Sequence, residues 1–509
     1  MGQCLFFLAI IPALISFWGY IKRQERWSVW MLVLSAFLLR IGVAVMDPFL
    51  HDWDERFHAL VAKNMMSYPF KPMLRVDPVL PYDYTAWCCN HIWVHKQPLF
   101  MWQMALSMKI FGVHEIAVRL PSALLSAAMV WCVYRIALIW TNNFSIAYVA
   151  ALLNTFAYYQ IEMVSGKECL DHNDLIFTAY VTGSIWAFCE YSKQKSFRWA
   201  IVTGCLVGGA ILVKWLTGLL VFGGWGLWVL LQKEERYIWK NYRDLLVAFA
   251  CAMAIALPWQ LYIMQAFPLE SAWEYTYNYK HITEKLGAFS SEDWTFHSMQ
   301  WPLHYGNLLL PFLGLGLLSL YPLGIVKSKL SIPLLSMAIV VYSFFSFIVQ
   351  TKMPAFVYIV CPIVLTIIAI GIVQVLDVIA KVSLNKRWME LPVLIVLVLN
   401  TFKPWGILEE RSASNEDRNV KIANTNIFKN LHQKVPPDYL VFNCKSFEDV
   451  DLLFYNRFNA HSWCPSEEQL DSLLAAGYKI AVFQAHKGKK LPDYVSGNPN
   501  VLVIMEELE

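Results

Sequence analysis

The sequence predicts a mainly α-helical, polytopic membrane protein that ends in a small α/β domain. Three observations predict it. Hydrophobic residues make up 57% of the 509 residues, charged residues only 16%, and the mean hydropathy is +0.44. A soluble domain carries about 25% charge, so this chain has too few charged groups to cover a water-facing globule of its size. Apolar runs long enough to cross a bilayer as helices alternate with short charged connectors. From residue 406 the pattern changes to short apolar strands alternating with helical segments.

About twelve spans are read, since a helix satisfies its own backbone groups in lipid and needs roughly 20 apolar residues to cross. They lie at 4–21, 27–46, 116–139, 143–161, 174–192, 197–213, 215–232, 245–266, 304–325, 331–351, 355–378 and 389–405. The first run is expected to stay as an anchor, because its charges Lys22, Arg23 and Arg26 follow the apolar stretch instead of preceding it. Segment 99–111 is apolar but short, which suits a helix at the interface.

Lys and Arg placement orients the bundle. The connectors 22–26, 193–198, 233–244, 326–330 and 379–388 hold Lys22, Arg198, Arg243, Lys327, Lys386 and Arg387 among others and read as cytoplasmic. The outer side then receives 47–115, 162–173, 267–303, 352–354 and the tail. The expected division is 1–405 for the transmembrane catalytic part and 406–509 for an extracytoplasmic α/β domain with strands at 438–443, 478–484 and 500–505 and helices at 447–457 and 466–476.

Most of the 11 cysteines fall in spans, where Cys is a small apolar residue. Cys88 and Cys89 lie in the first outer loop, and Cys444 and Cys464 in the tail are candidates for a disulfide if the tail is outside. The chain has no Walker A, GxGxxG or zinc-finger spacing, so nucleotide-driven transport lacks support and no nucleic-acid partner is expected.

Five polar constellations stand at the outer face. Asp52-Trp53-Asp54-Glu55-Arg56-Phe57-His58 packs carboxylates that raise one another's pKa; it reads as a general base, a metal ligand or a solvated loop. Lys96, in His95-Lys96-Gln97-Pro98-Leu99, reads as a phosphate contact or an interface anchor. Near the fifth span, Asp171 can cap the helix, while Asp174 lies in or beside the membrane, where ionisable groups are costly and usually functional. Lys214 reads equally as a snorkelling lysine or as one with a structural or functional role. Lys352, in Thr351-Lys352-Met353-Pro354, opposes the positive-inside trend and points to an anion at the outer face.

In order, the Asp54-Glu55 loop, His95-Lys96-Gln97-Pro98-Leu99, Phe111-Gly112, Arg119-Leu120-Pro121-Ser122-Ala123, Asp174, Lys214, Leu257-Pro258-Trp259 and Lys352-Met353-Pro354 resemble the GT-C glycosyltransferases over about residues 50–365. The likeness is to the branch of the lipid A aminoarabinose transferase and the protein O-mannosyltransferase-like enzymes. It implies inverting transfer of a pentosyl or hexosyl group from a polyprenyl-phosphate carrier to a lipid or protein acceptor, among membrane lipids, at the periplasmic face of a bacterial inner membrane. It implies Asp54 as base or acceptor-positioning group with Glu55 beside it, Asp174 as the second acid, and Lys96 and Lys352 on the carrier phosphate. A divalent metal (Zn, Mg or Mn) would fall to His95 and His281, although His95 departs from the family carboxylate. Gln97, where Pro is usual, and the extra first span also depart. The alternative readings are a lipid or sugar transporter, against which stands the absence of repeats, and a scaffold displaying the tail.

Overall fold

The structure is a computed structural model that describes residues 1–86, 90–167, 172–286, 293–321, 327–382, 390–484 and 490–509. Cys88, Cys89, Asp171, Lys386 and Arg387 lie outside the described residues. Among those described, eight helices are long and apolar enough to cross a membrane: Gly2–Ile21, Glu25–Met46, Glu115–Thr141, Phe197–Lys214, Trp239–Ala266, Ser331–Ile348, Pro354–Ile379 and Glu390–Glu410.

The four remaining spans read from the sequence are also helical, with differences that have local causes. The 143–161 run breaks into Phe144–Thr155 and Tyr158–Ser165. The 174–192 run is the single helix His172–Gln194, whose first turn is polar. Two others are the shorter apolar helices Leu216–Leu231 and Asn307–Leu320. Leu99–Phe111 forms the expected short helix, with Phe100, Met101 and Met104 buried.

Small residues set how closely the helices approach. Gly204 and Gly208 are one turn apart on Phe197–Lys214, which packs against Trp239–Ala266. A Cβ on Gly204 would strike the Ala248 carbonyl, and one on Gly208 would lie 2.8 Å from the Ile255 Cβ. Small residues at this spacing let backbones approach where lipid supplies no hydrophobic drive between helices.

Two outer loops contain helices that their polar composition conceals. Asp54–Met65 follows the second span, and Pro268–Thr283 occupies the start of the third outer segment. Both lie beside the polar cavity described below.

The tail folds into a four-stranded parallel sheet, β1 (Tyr439–Phe442), β2 (Asn459–Ala460), β3 (Lys479–Phe483) and β4 (Val501–Ile504), in the order β2-β1-β3-β4. Parallel strands need crossovers, and helices Glu448–Tyr455 and Glu467–Ala475 supply two of them. The two-residue β2 is too short to carry a sequence signal. The candidate pair Cys444 and Cys464 are both free thiols, Cys444 buried and Cys464 partly so. The sheet unit docks on the first outer loop. Arg75 pairs with Asp449 at 2.9 Å, and Arg56 pairs with Asp451 at 3.3 Å.

Candidate active site

The acidic cluster after the second span separates into three environments. Trp53 precedes the Asp54–Met65 helix with φ of 63°, a left-handed conformation costly for a bulky residue and typical of functional sites. Asp52 turns to Arg56 and to Lys421, the latter at 2.8 Å. Asp54 begins the helix, where a carboxylate suits the positive end of the dipole. Its side chain is 32% exposed and meets Lys96 Nζ at 3.8 Å.

Glu55 is buried at 1% exposure. Arg119 grips both of its oxygens, at 2.7 and 2.9 Å, His172 Nε2 lies 2.9 Å from Oε1, and the His51 amide donates to Oε2 at 2.7 Å. Burial pushes the carboxyl up, but the Arg119 guanidinium and the hydrogen bonds from Arg119 and His172 outweigh it and hold the group well below the usual range. With both oxygens engaged, Glu55 is an anchor. This geometry corrects its grouping with Asp54.

The remaining polar groups meet at one cavity of about 430 Å³. Lys96 and His95 come from the first loop. Asn173 and Asp174 come from the start of the His172–Gln194 helix, and Lys214 from the end of Phe197–Lys214. Helix Pro268–Thr283 contributes Tyr275, Asn278, Tyr279 and His281. Lys214 Nζ donates to Asp174 Oδ1 and stands 5.0 Å from the centre of the Phe356 ring. The helix gives way to a tight 3₁₀ turn, Trp215–Leu219, just after Lys214, so the lysine sits where the apolar rod is interrupted. Burial, with Lys96, His95 and Lys214 nearby, lowers His281 to about 4, so it is neutral at pH 7. Its buried Nδ1 has no hydrogen-bond partner among the described residues.

Below this polar head the walls are apolar, with Phe177, Val213, Phe344 and Phe356 among them. Leu216, Thr217, Phe344 and Phe345 also line a second, apolar space of about 560 Å³ between helices Leu216–Leu231 and Ser331–Ile348. A polar chamber therefore continues into a greasy groove.

Lys352 is placed differently from the expectation. It is 4% exposed and donates to the carbonyls of Phe345, Ser346 and Val349 at 3.1, 2.8 and 3.1 Å. An ammonium has three donors, and all three close the end of the Ser331–Ile348 helix. It does not line the cavity, and Lys214 is the second lysine there.

The two histidines do not form a metal centre on the described residues. His95 Nδ1 lies 2.9 Å from Glu274 Oε2. The Tyr277 ring packs against both imidazoles, at 5.8 Å from His95 and 5.1 Å from His281. Among the described residues no group of three or more His, Cys, Asp or Glu side chains converges as metal ligands do.

The missed site residues Tyr275, Asn278 and Tyr279 lie on a helix whose aromatic, polar composition reads as loop. Pro268 at the first helical position was the available signal.

Comparison with known proteins places the chain near enzymes that act on lipid-linked sugars. A family model described as dolichyl-phosphate-mannose-protein mannosyltransferase matches residues 95–262, the stretch that holds Lys96, Asp174 and Lys214. The crystal structure of ArnT from Cupriavidus metallidurans bound to undecaprenyl phosphate superposes with a TM-score of 0.61 at 15% identity, over 93% of this chain and 89% of that one. The chain shares the fold of that structure. The archaeal oligosaccharyltransferase AglB from Archaeoglobus fulgidus, in complex with an inhibitory peptide and a dolichol-phosphate, superposes at 0.56 with 12% identity over 84% of this chain and 64% of that one. In sequence, undecaprenyl phosphate-alpha-4-amino-4-deoxy-L-arabinose arabinosyl transferase 1 of Pseudomonas fluorescens (strain Pf0-1) is 25% identical over 299 residues, 56% of this chain and 47% of that protein. The corresponding transferase of Yersinia pestis (strain Pestoides F) is 26% identical over 257 residues, 49% and 42%. The chain thus spans about half the length of the curated relatives it matches.

Proposed function

We propose that this chain is an inverting glycosyltransferase that moves a sugar from a polyprenyl-phosphate carrier to a lipid or protein acceptor at the outer face of the membrane. The observation that carries the proposal is the cavity. It joins two lysines and a carboxylate to an apolar groove, which matches a ligand with an anionic head and a hydrocarbon tail. The curated relatives and the GT-C fold support the same reading. Residues 1–405 would hold the donor, and 406–509 would brace the first outer loop. The basic connectors support an outward site, and the relatives support a bacterial inner membrane.

In this reading the acceptor hydroxyl attacks the anomeric carbon from the face opposite the phosphate. The sugar–phosphate C–O bond breaks, and its electron pair leaves with the polyprenyl phosphate. Asp54 takes the hydroxyl proton. Lys96 and Lys214 face the negative charge that grows on the leaving phosphate, and such fixed cations act most strongly where water is excluded. Asp174 holds the Lys214 ammonium in place. Neutral His281 offers a hydrogen bond to the sugar. Glu55 and Lys352 act through the backbone they hold, as positioning residues.

The test is sugar transfer by the purified chain, supplied separately with undecaprenyl-phosphate-linked aminoarabinose and polyprenyl-phosphate-linked mannose, one pentosyl and one hexosyl donor. Transfer from either donor, lowered in Asp54→Asn and Lys96→Ala, supports the proposal and names the sugar class. Full turnover in both variants would overturn the residue assignment. Consumption of neither donor would overturn the function.

A further inference from the structure

A second polar cavity lies apart from the first and shares none of its lining. It measures about 520 Å³ and sits between the first outer loop and the tail. Its walls carry three cations, Lys63, Arg75 and Arg457, against one carboxylate, Asp77. The structure accounts for only part of this charge. Lys63 donates to the carbonyls of Leu453 and Asn456 at 2.7 and 2.6 Å, leaving one of its three N–H groups. Arg75 Nη2 donates to Asp449 and to the Ala460 carbonyl, while its buried Nε has no partner among the described residues. Arg457 is exposed and makes no ion pair among the described residues. Burial first, and then the charge of nearby Arg457, lower Lys63 to about 8.

The rest of the wall is mixed, with Leu60, Leu74 and Phe458 beside the polar side chains of Asn64, Ser67 and Asn459. Excess positive charge among hydrogen-bonding side chains is matched by a phosphate, which accepts charge-assisted hydrogen bonds, and the apolar part of the wall leaves room for carbon attached to it. The location narrows the choice. Lys63 and Asp54 lie at opposite ends of the Asp54–Met65 helix, roughly 13 Å apart along its axis. The helix therefore links the proposed base to this cavity, away from the donor groove.

We propose that the Lys63–Arg75–Arg457 cavity binds a phosphate group of the acceptor and so fixes which molecule presents its hydroxyl to Asp54. The part about the acceptor rests on the transferase reading; anion binding itself does not.

Binding is measured by calorimetry on the full-length chain in maltoside micelles, with dihexanoylphosphatidic acid, inorganic phosphate and neutral dihexanoylglycerol as probes. Phosphatidic acid is expected to bind, dihexanoylglycerol not to bind, and Arg457→Gln to weaken phosphatidic acid about tenfold, a loss of about 1.4 kcal/mol. Arg457 is exposed and makes no ion pair among the described residues, so this variant keeps the fold; Lys63→Met would also loosen the tail. Equal affinity for inorganic phosphate would assign the site to a free anion and overturn the acceptor role. No binding of either phosphate probe, or binding unchanged in both Arg457→Gln and Arg457→Glu, would overturn the site. Polyprenyl phosphate binding should be lost in Lys96→Ala and kept in Arg457→Gln. Failure of the donor reading is thereby seen separately from failure of this one.

Discussion

The anchoring network beneath the first outer loop and the cavity beside it use the same chemistry to opposite ends. In the network, Glu55 is enclosed by Arg119, His172 and the His51 amide, and Asp47 is met by Arg411 at 2.9 Å and by Arg418 at 3.4 Å. Arg411 also reaches Glu162 at 2.8 Å. Each charge there is satisfied by protein, so the network fixes shape. Lys96, which lines the cavity, stands 3.8 Å from Asp54, and a neutral histidine there keeps one nitrogen unpartnered among the described residues. A saturated network holds the fold, and charged groups that line an open cavity can meet a ligand.

The comparison breaks first at Arg119. Arg119→Leu leaves the Glu55 carboxylate buried without its guanidinium, held only by His172 and the His51 amide, which costs about 3–5 kcal/mol. Loss of folded protein on gel filtration is expected; a variant as heat-stable as the parent would show that the network is not an anchor. Next come Lys96→Ala and Lys214→Ala. Each should lower turnover by roughly 10²–10³-fold, the effect of removing one preorganised charge-stabilising donor, with little change in Tm. An equal fall in Tm would erase the distinction between cavity and network.

Smaller effects sharpen it. Gly166 has φ of 74°, and a Cβ there would lie 2.6 Å from the Glu55 carboxyl carbon. Gly166→Ala should cost about 1–3 kcal/mol in a denaturation assay. Lys352→Met, which strips three carbonyls of their donor, should lower stability by about 1–3 kcal/mol and leave the donor KM unchanged. A raised KM with full stability would return Lys352 to the phosphate. Last is the pH dependence of His281. Its folded value of about 4 lies below the ordinary 6.5. Its contribution to stability is therefore complete above pH 6.5 and is lost as pH falls through about 4. His281→Asn should flatten the fall in Tm between pH 6.5 and 4.5, and an unchanged slope would place the proton elsewhere.

The membrane bundle was legible because hydrocarbon thickness forces long apolar helices, and a run such as 355–378 can do little else. The sheet strands at 438–443 and 478–484 were legible from their apolar runs and punctuation. Individual roles were less legible. Asp54 and Glu55 are identical in charge and adjacent in sequence, yet a helix turns successive residues about 100° apart, and only one faces Arg119, 64 positions away. Lys352 read as a phosphate ligand because its three carbonyl acceptors are backbone atoms, which leave no mark on residue type.

The sequence by itself determined that this is a helical membrane protein with charged groups gathered at one face, because the length and polarity of a segment act locally. Only the tertiary structure decided which charges would cancel and which would stay available. Pairing depends on distances between segments far apart in the chain: Asp174 with Lys214, Arg411 with Asp47 and Glu162, and Lys63 with the tail.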